Sequence, residues 1–292
     1  MNLRALVKLS RIEHGALTSL IVVASYIVSN GRNPISATLL FLSSLLTEIF
    51  LFATNDIYNI EEDRINRPDA PLVRGDVTIM EAWSLSIISV LISIILNIID
   101  LIMNYLAPWS LLVLIMAIIL GFSYNYGLKR VIMINNILVS LTSSLTFIYG
   151  YYAVSSTPPI LNLPYILFIT SFLATMGREL VKGVLDVPGD TKAGVRTVAN
   201  TYGVRVAIIM AVAFTLIAVA ISPFIIILSI GELPGLVLSA GVILTDIILV
   251  YICIMILTRN DYAGKFRVRA LGAMSITIIA YLFFALLLLL VR

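Results

Sequence analysis

The sequence predicts an all-α, polytopic membrane protein of about nine transmembrane helices, with cap loops gathered on one face. Three observations predict it. The chain of 292 residues is 60% hydrophobic and only 12% charged, whereas a soluble domain is about 25% charged, and its mean hydropathy is +1.07. Its apolar residues fall into runs long enough to cross a hydrocarbon core about 30 Å thick. Its basic residues fall almost entirely in every second loop.

The apolar runs lie near 14–30, 36–55, 82–99, 106–123, 131–153, 160–177, 206–230, 233–257 and 270–291. The first follows "LVKLSRIEH" and has the outline of a signal peptide. It lacks a small-residue cleavage site and eight more runs follow, so it reads as a span. The N-terminus holds Arg4, Lys8 and Arg11, and loop two holds Arg64, Arg67 and Arg74. Loop four holds Lys129 and Arg130; loop six holds Arg178, Lys182, Lys192, Arg196 and Arg205; loop eight holds Arg259, Lys265, Arg267 and Arg269. Only Arg32 and Arg292 fall on the other face. Positive-inside logic puts the N-terminus and the even loops in the cytoplasm and the C-terminus outside. The net charge of +3 is therefore a topology signal and no argument for nucleic-acid binding. The lone Cys253 excludes a disulfide framework and a cysteine metal site. The single His14 excludes a multi-histidine one.

Two cytoplasmic loops are long, 56–81 and 178–205, and each begins as a polar continuation of the preceding helix. In the first, Asn55, Asp56, Asn59 and Asp63 form the pattern NDxxNxxxD. In the second, "RELVKGVLDVPGD" sets Asp186 and Asp190 four apart. Residues four apart share a helical face. The separation from Asn59 to Asp186 equals that from Asp63 to Asp190, which points to an internal duplication of 55–63 and 182–190 inside a single domain, 1–292. Clustered carboxylates repel, and a hard divalent cation offsets that repulsion. Mg²⁺ prefers oxygen ligands together with substrate phosphates. Arg64, Arg67, Arg74, Lys129, Arg178, Lys182, Lys192 and Arg196 lie among the acids. Carboxylates, Mg²⁺ and Lys/Arg together make up a diphosphate site. For one loop alone, a solvated surface laced with salt bridges explains the charges as well. Two such loops at matched positions favour a site.

The two motifs resemble those of the UbiA superfamily of intramembrane prenyltransferases, whose hallmarks are NDxxDxxxD and a second Asp-rich motif. The resemblance runs over nearly the whole chain and includes a Tyr–Lys element in "SYNYGLKR". It implies a UbiA-like helical bundle and Mg²⁺-dependent transfer of a prenyl group from a prenyl diphosphate. Within the superfamily, "NDIYNIEEDRINRPDAP" and "RELVKGVLDVPGDTKAGVRTVANTYG" are most similar to archaeal digeranylgeranylglyceryl phosphate synthases, which implies a geranylgeranylglyceryl phosphate acceptor. An aromatic acceptor such as 4-hydroxybenzoate is the competing reading. A secondary transporter of an anionic substrate is a remote one, because transporters place such sites at the midplane on broken helices.

The implied metal ligands are Asn55, Asp56, Asn59, Asp63, Asp186 and Asp190. Lys129 and Tyr124 join the four aspartates as the implied catalytic set. Arg11, Arg64, Arg67, Arg74, Asn136, Arg178, Lys182 and Lys192, with Asn55 and Asn59, are the implied substrate contacts. Asn59 stands where the family pattern carries a second aspartate, Gly183 where motif two carries an acid, and "APLVRG" replaces the usual "RPIPSG" turn. Water must be excluded from an allylic cation, and loop 258–269 is a candidate lid. Glu48 and Asp246 lie inside spans, where a charge costs roughly 2.5–3.5 kcal/mol on insertion scales. Trp83 and Trp109 fit the interfacial aromatic belt.

Overall fold

The computed structural model describes residues 3–155, 161–192, 194–231, 234–259 and 261–291; the side chains of Ile65, Asn66 and Lys192 are outside that description, as is Arg292. Residues 160 and 233, which open two expected spans, also lie outside it. The described residues are helical, with no strand among them. The helices are α1 (Leu3–Ser10), α2 (Ile12–Val28), α3 (Pro34–Tyr58), α4 (Ile60–Asn66), α5 (Ile79–Ile102), α6 (Trp109–Tyr126) and α7 (Ile134–Tyr152). They continue as α8 (Leu163–Leu185), α9 (Val187–Lys192), α10 (Val198–Thr201), α11 (Val204–Ile221), α12 (Pro223–Ser229), α13 (Gly235–Thr258) and α14 (Ala263–Val291).

Each expected run is matched by a helix. By length and composition, six spans qualify, or up to seven when α1 and α2, bent by 45°, count as one. The expected number of nine is not established by that measure. The shortfall at α7 and α8 has a physical reason. Asn135, Asn136 and a series of Ser and Thr residues dilute the apolar content of α7, and Arg178, Glu179 and Lys182 sit in the last two turns of α8.

The chain forms two compact units, Met1–Tyr126 with Tyr149–Thr157, and Gly127–Ile148 with Pro158–Arg292. In the first, α3 packs against α2, α5 and α6. Its seam with α5 is built of small polar residues. Ser36 Oγ donates to Asp100 at 3.0 Å, Ser93 Oγ to the Ser43 carbonyl at 2.7 Å, and Thr47 and Ser93 lie 2.8 Å apart. Tyr149 joins this seam, 2.6 Å from both Ser43 Oγ and Asn97 Nδ2. Small side chains let membrane helices approach closely, and their hydroxyls hydrogen-bond across the contact.

In the second unit α8 packs against α11, and α13 against α14. The expected run 206–230 is broken at Ser222–Pro223, because proline cannot donate an amide to the preceding turn. Across that break Ser222 Oγ lies 2.5 Å from Asp246 Oδ2, so the intramembrane Asp246 has a partner. Thr245 donates to the Ala273 carbonyl at 2.7 Å and ties α13 to α14.

Candidate active site

Motif one sits where α3 ends. Asn55 and Asp56 occupy its last turn, Asn59 follows it directly, and Asp63 lies in α4. The Asp63 amide donates to the Asn59 carbonyl at 2.8 Å, so the four-residue spacing survives as one helical turn. Asp56 is 2% exposed. Its Oδ1 accepts from Arg11 at 2.5 Å and from Arg67 at 3.2 Å. Arg67 also lies 3.4 Å from Asp63. The second oxygen of Asp56, Oδ2, is buried with no hydrogen-bond partner. Burial pushes the Asp63 carboxyl above its ordinary value; Arg67 works against the rise and Asp56 adds to it. A bound cation relieves such a group as a proton does.

Arg11 comes from the bend between α1 and α2, where it takes φ 46 and ψ 47. That left-handed conformation costs an L-residue roughly 1–2 kcal/mol. It carries the guanidinium over the Phe52 ring, 4.9 Å from its centroid, and onto Asp56. The back of motif one is held by aromatic packing. Tyr58 meets Trp83, Phe122 and Tyr126 edge-on at centroid distances of 5.9, 6.0 and 5.8 Å. Trp83, expected in an interfacial belt, thus also anchors the motif.

Sequence reasoning passed over Asn125, which stands inside the Tyr–Lys element. It is buried and bonded to Asn55 at 2.9 Å. Its position between Tyr124 and Tyr126 carried no signal of its own. Tyr124 is half-buried in α6, and Lys129 is half-buried in a short 3₁₀ turn, Leu128–Arg130. Arg64 pairs with Glu61 at 3.2 Å and Arg74 with Asp76 at 3.2 Å. Both arginines are well exposed, and these contacts are not with the motif acids.

In the second unit, Asp186 caps α8 and Asp190 lies in α9; the Asp190 amide donates to the Asp186 carbonyl at 2.8 Å. Both are half-buried. Arg178 lies 2.6 Å from Glu179, and Lys182 lies 3.6 Å from the same carboxylate. Glu179 is another residue the sequence reading missed, although its place three residues before Lys182 was a usable signal. Arg178 Nε is buried without a hydrogen-bond partner. A buried guanidinium N–H in this state suits an anion. Asn136 is buried in the first turn of α7. The side chain of Lys192 lies outside the described residues.

Among the described residues, no three His, Cys, Asp or Glu side chains converge as a ready metal cluster. The donor chemistry of motif one nevertheless suits a hard cation: a buried carboxylate oxygen in need of a partner, a second buried carboxyl, and amide oxygens.

Residues 16–271 match the sequence profile of the UbiA prenyltransferase family. The chain belongs to the UbiA prenyltransferase family. It is 34% identical to the digeranylgeranylglyceryl phosphate synthase of Methanosphaera stadtmanae over 197 residues, 68% of either chain. It is 32% identical to the enzyme of that name from Archaeoglobus fulgidus over 96% of this chain and 94% of the other. A solved structure of digeranylgeranylglyceryl phosphate synthase superposes with a TM-score of 0.80 at 25% identity, covering 97% of this chain and 98% of that one. A UbiA homologue from Archaeoglobus fulgidus, solved with GPP and Mg²⁺, superposes with a TM-score of 0.67 at 19% identity, covering 95% and 99%. This UbiA protein is therefore a multi-pass membrane prenyltransferase.

Proposed function

We propose that this UbiA prenyltransferase transfers a geranylgeranyl group from its diphosphate to the free hydroxyl of geranylgeranylglyceryl phosphate, forming the second ether bond of an archaeal lipid. The observation that carries this reading is the near-full-length similarity to the Archaeoglobus fulgidus synthase. In this reading the chain, 1–292, is one catalytic domain. Asp56 and Asp63, with Asn55 and Asn59, would hold Mg²⁺ from motif one, and Asp186 and Asp190 from motif two. Bound Mg²⁺ supplies neutralisation of the charge that develops on the leaving diphosphate.

The remaining work falls to the chain's own side chains. Arg67 and Arg11 hold Asp56 in a fixed rotamer, so its buried oxygen is preorganised. Arg178, Lys182 and Lys129 take up anionic oxygens. C–O cleavage releases diphosphate and leaves an allylic cation, which Tyr124 would face; the acceptor hydroxyl attacks that cation and passes its proton to the departing diphosphate, as water is kept out. The acceptor carries its own phosphate, so two anionic heads need cations, and Arg178 with its unpartnered Nε is suited to one of them.

The test is incubation of purified protein with Mg²⁺ and geranylgeranyl diphosphate, offering each acceptor separately. Ether product with geranylgeranylglyceryl phosphate is the expected result. Product with 4-hydroxybenzoate alone would replace this reading with aromatic prenyl transfer.

The cytoplasmic placement of both motifs is part of the same proposal and rests on the basic loops. A cysteine at exposed Asp69 is expected to react with a membrane-impermeant reagent only from the cytoplasmic side, and one at exposed Arg32 only from outside. Arg32 suits the outer probe better than Asn30, whose φ of 72 disfavours cysteine. Labelling of both from one side would reject this topology.

A further inference from the structure

The amide of Asn125 has two chemically different ends, and its surroundings fix which is which. The Leu51 carbonyl can only accept, so the atom 2.9 Å from it is the Nδ2 end. The same nitrogen lies 2.9 Å from Thr54 Oγ1. The Thr54 hydroxyl is itself turned onto the Phe50 carbonyl at 2.8 Å, so it accepts from Asn125. Asn125 Oδ1 therefore faces Asn55, which must present its Nδ2 there, at 2.9 Å. That leaves Asn55 Oδ1 toward Asn59, whose Nδ2 lies at 3.2 Å. Donor polarity runs one way through three amides, and a backbone carbonyl of α3 sets it. An amide is oriented only by such a network, because its nitrogen and oxygen ends have almost the same shape.

The consequence falls on Asn59. Its NH₂ end is committed to Asn55, so its carbonyl oxygen is the end turned away from that relay. An NH₂ group repels a cation, whereas a carbonyl oxygen ligates one. We propose that Asn125 is a positioning residue. Through Asn55 it holds the oxygen end of Asn59 toward a divalent cation in motif one, which lets an uncharged residue serve at a ligand position. The inference rests on the reading that motif one holds such a cation. Asn125 is 4% exposed and acts through its neighbours, with no substrate contact of its own.

The experiment titrates Mn²⁺, followed by electron paramagnetic resonance, into the full-length protein in detergent. Four proteins are compared: wild type, Asn125→Leu, Asn59→Asp and the double variant. Asn125→Leu is expected to weaken Mn²⁺ binding by about 10–100-fold, the usual effect of losing a ligand-orienting partner. In the Asn59→Asp background the same change should have little effect, since a carboxylate shows oxygen at both ends. Asn125→Ser leaves room for water at the Leu51 carbonyl, and it replaces the leucine variant if that one unfolds. Equal losses in both backgrounds would make Asn125 a packing residue and overturn the proposal. So would undiminished binding by Asn125→Leu and Asn125→Ser. Failure of wild type and Asn59→Asp alike to bind Mn²⁺ would instead remove the cation reading itself, and this proposal with it.

Discussion

Asp56→Asn is expected to cut Mg²⁺-dependent turnover by at least about 10²–10³-fold, the scale on which a single group stabilising developing charge acts. The substitution is nearly isosteric and spares the contacts that hold the site. Oδ1 of the new amide can still accept from Arg11 and Arg67. What changes is the other atom. The buried oxygen that lacks a hydrogen-bond partner becomes an NH₂ group, so a donor replaces an acceptor where a cation would bind. Stability should change little. Arg11, which loses its counter-charge, is 22% exposed, and Arg67, which keeps Asp63 at 3.4 Å, is 44% exposed, so water screens both. Mn²⁺ binding and the thermal midpoint separate the effects: binding should be lost while the midpoint moves by a few degrees at most. Addition of EDTA should bring the wild-type protein to the same inactive level. An Asp56→Asn enzyme that turns over near the wild-type rate with Mg²⁺ would sink the assignment of motif one.

The sequence made the acids of that motif visible and left their partners hidden, for a physical reason. Asn59 and Asp63 are four apart, and local helical geometry alone brings them together. Arg11 is 45 residues from Asp56 and Asn125 is 70 from Asn55. Those contacts depend on how α2 and α6 pack against α3, which hydrophobic periodicity does not encode in a chain apolar on every side. Arg64 and Arg74 show the converse. Both lie close to the acids in sequence, yet each found a nearer carboxylate, Glu61 and Asp76. The apolar runs located the helices well, because burial in lipid demands about 20 apolar residues whatever the packing. They did not show the bend at Arg11, where no proline or glycine marks it. The break at Pro223 was legible in principle and was masked by the unbroken hydropathy around it.

Gly177→Leu is expected to cost roughly 1–3 kcal/mol or more of stability, the usual price of overpacking a well-filled contact, and to disable the second motif as well. Gly177 is buried in α8 where it packs against α11. A Cβ at this position would fall against Thr215 Oγ1 and 2.8 Å from the Ala211 carbonyl oxygen. The first contact can yield by a rotamer change. The second is backbone, so the helices must separate. Membrane helices gain much of their association from such close approach at small residues, and little hydrophobic force is available to restore it. The next residues along α8 are Arg178, Glu179 and Lys182, the ion cluster that precedes Asp186. A shift of α8 therefore moves the implied anion contacts Arg178 and Lys182 together. Thermal unfolding in detergent and the KM for prenyl diphosphate should both worsen. Gly177→Ala should show the same pattern more weakly. Removing the hydroxyl in Gly177→Ala/Thr215→Ala should recover only part of the loss, because the Ala211 carbonyl remains. A leucine variant as stable and active as wild type would show that this contact has room to spare, contrary to the packing described.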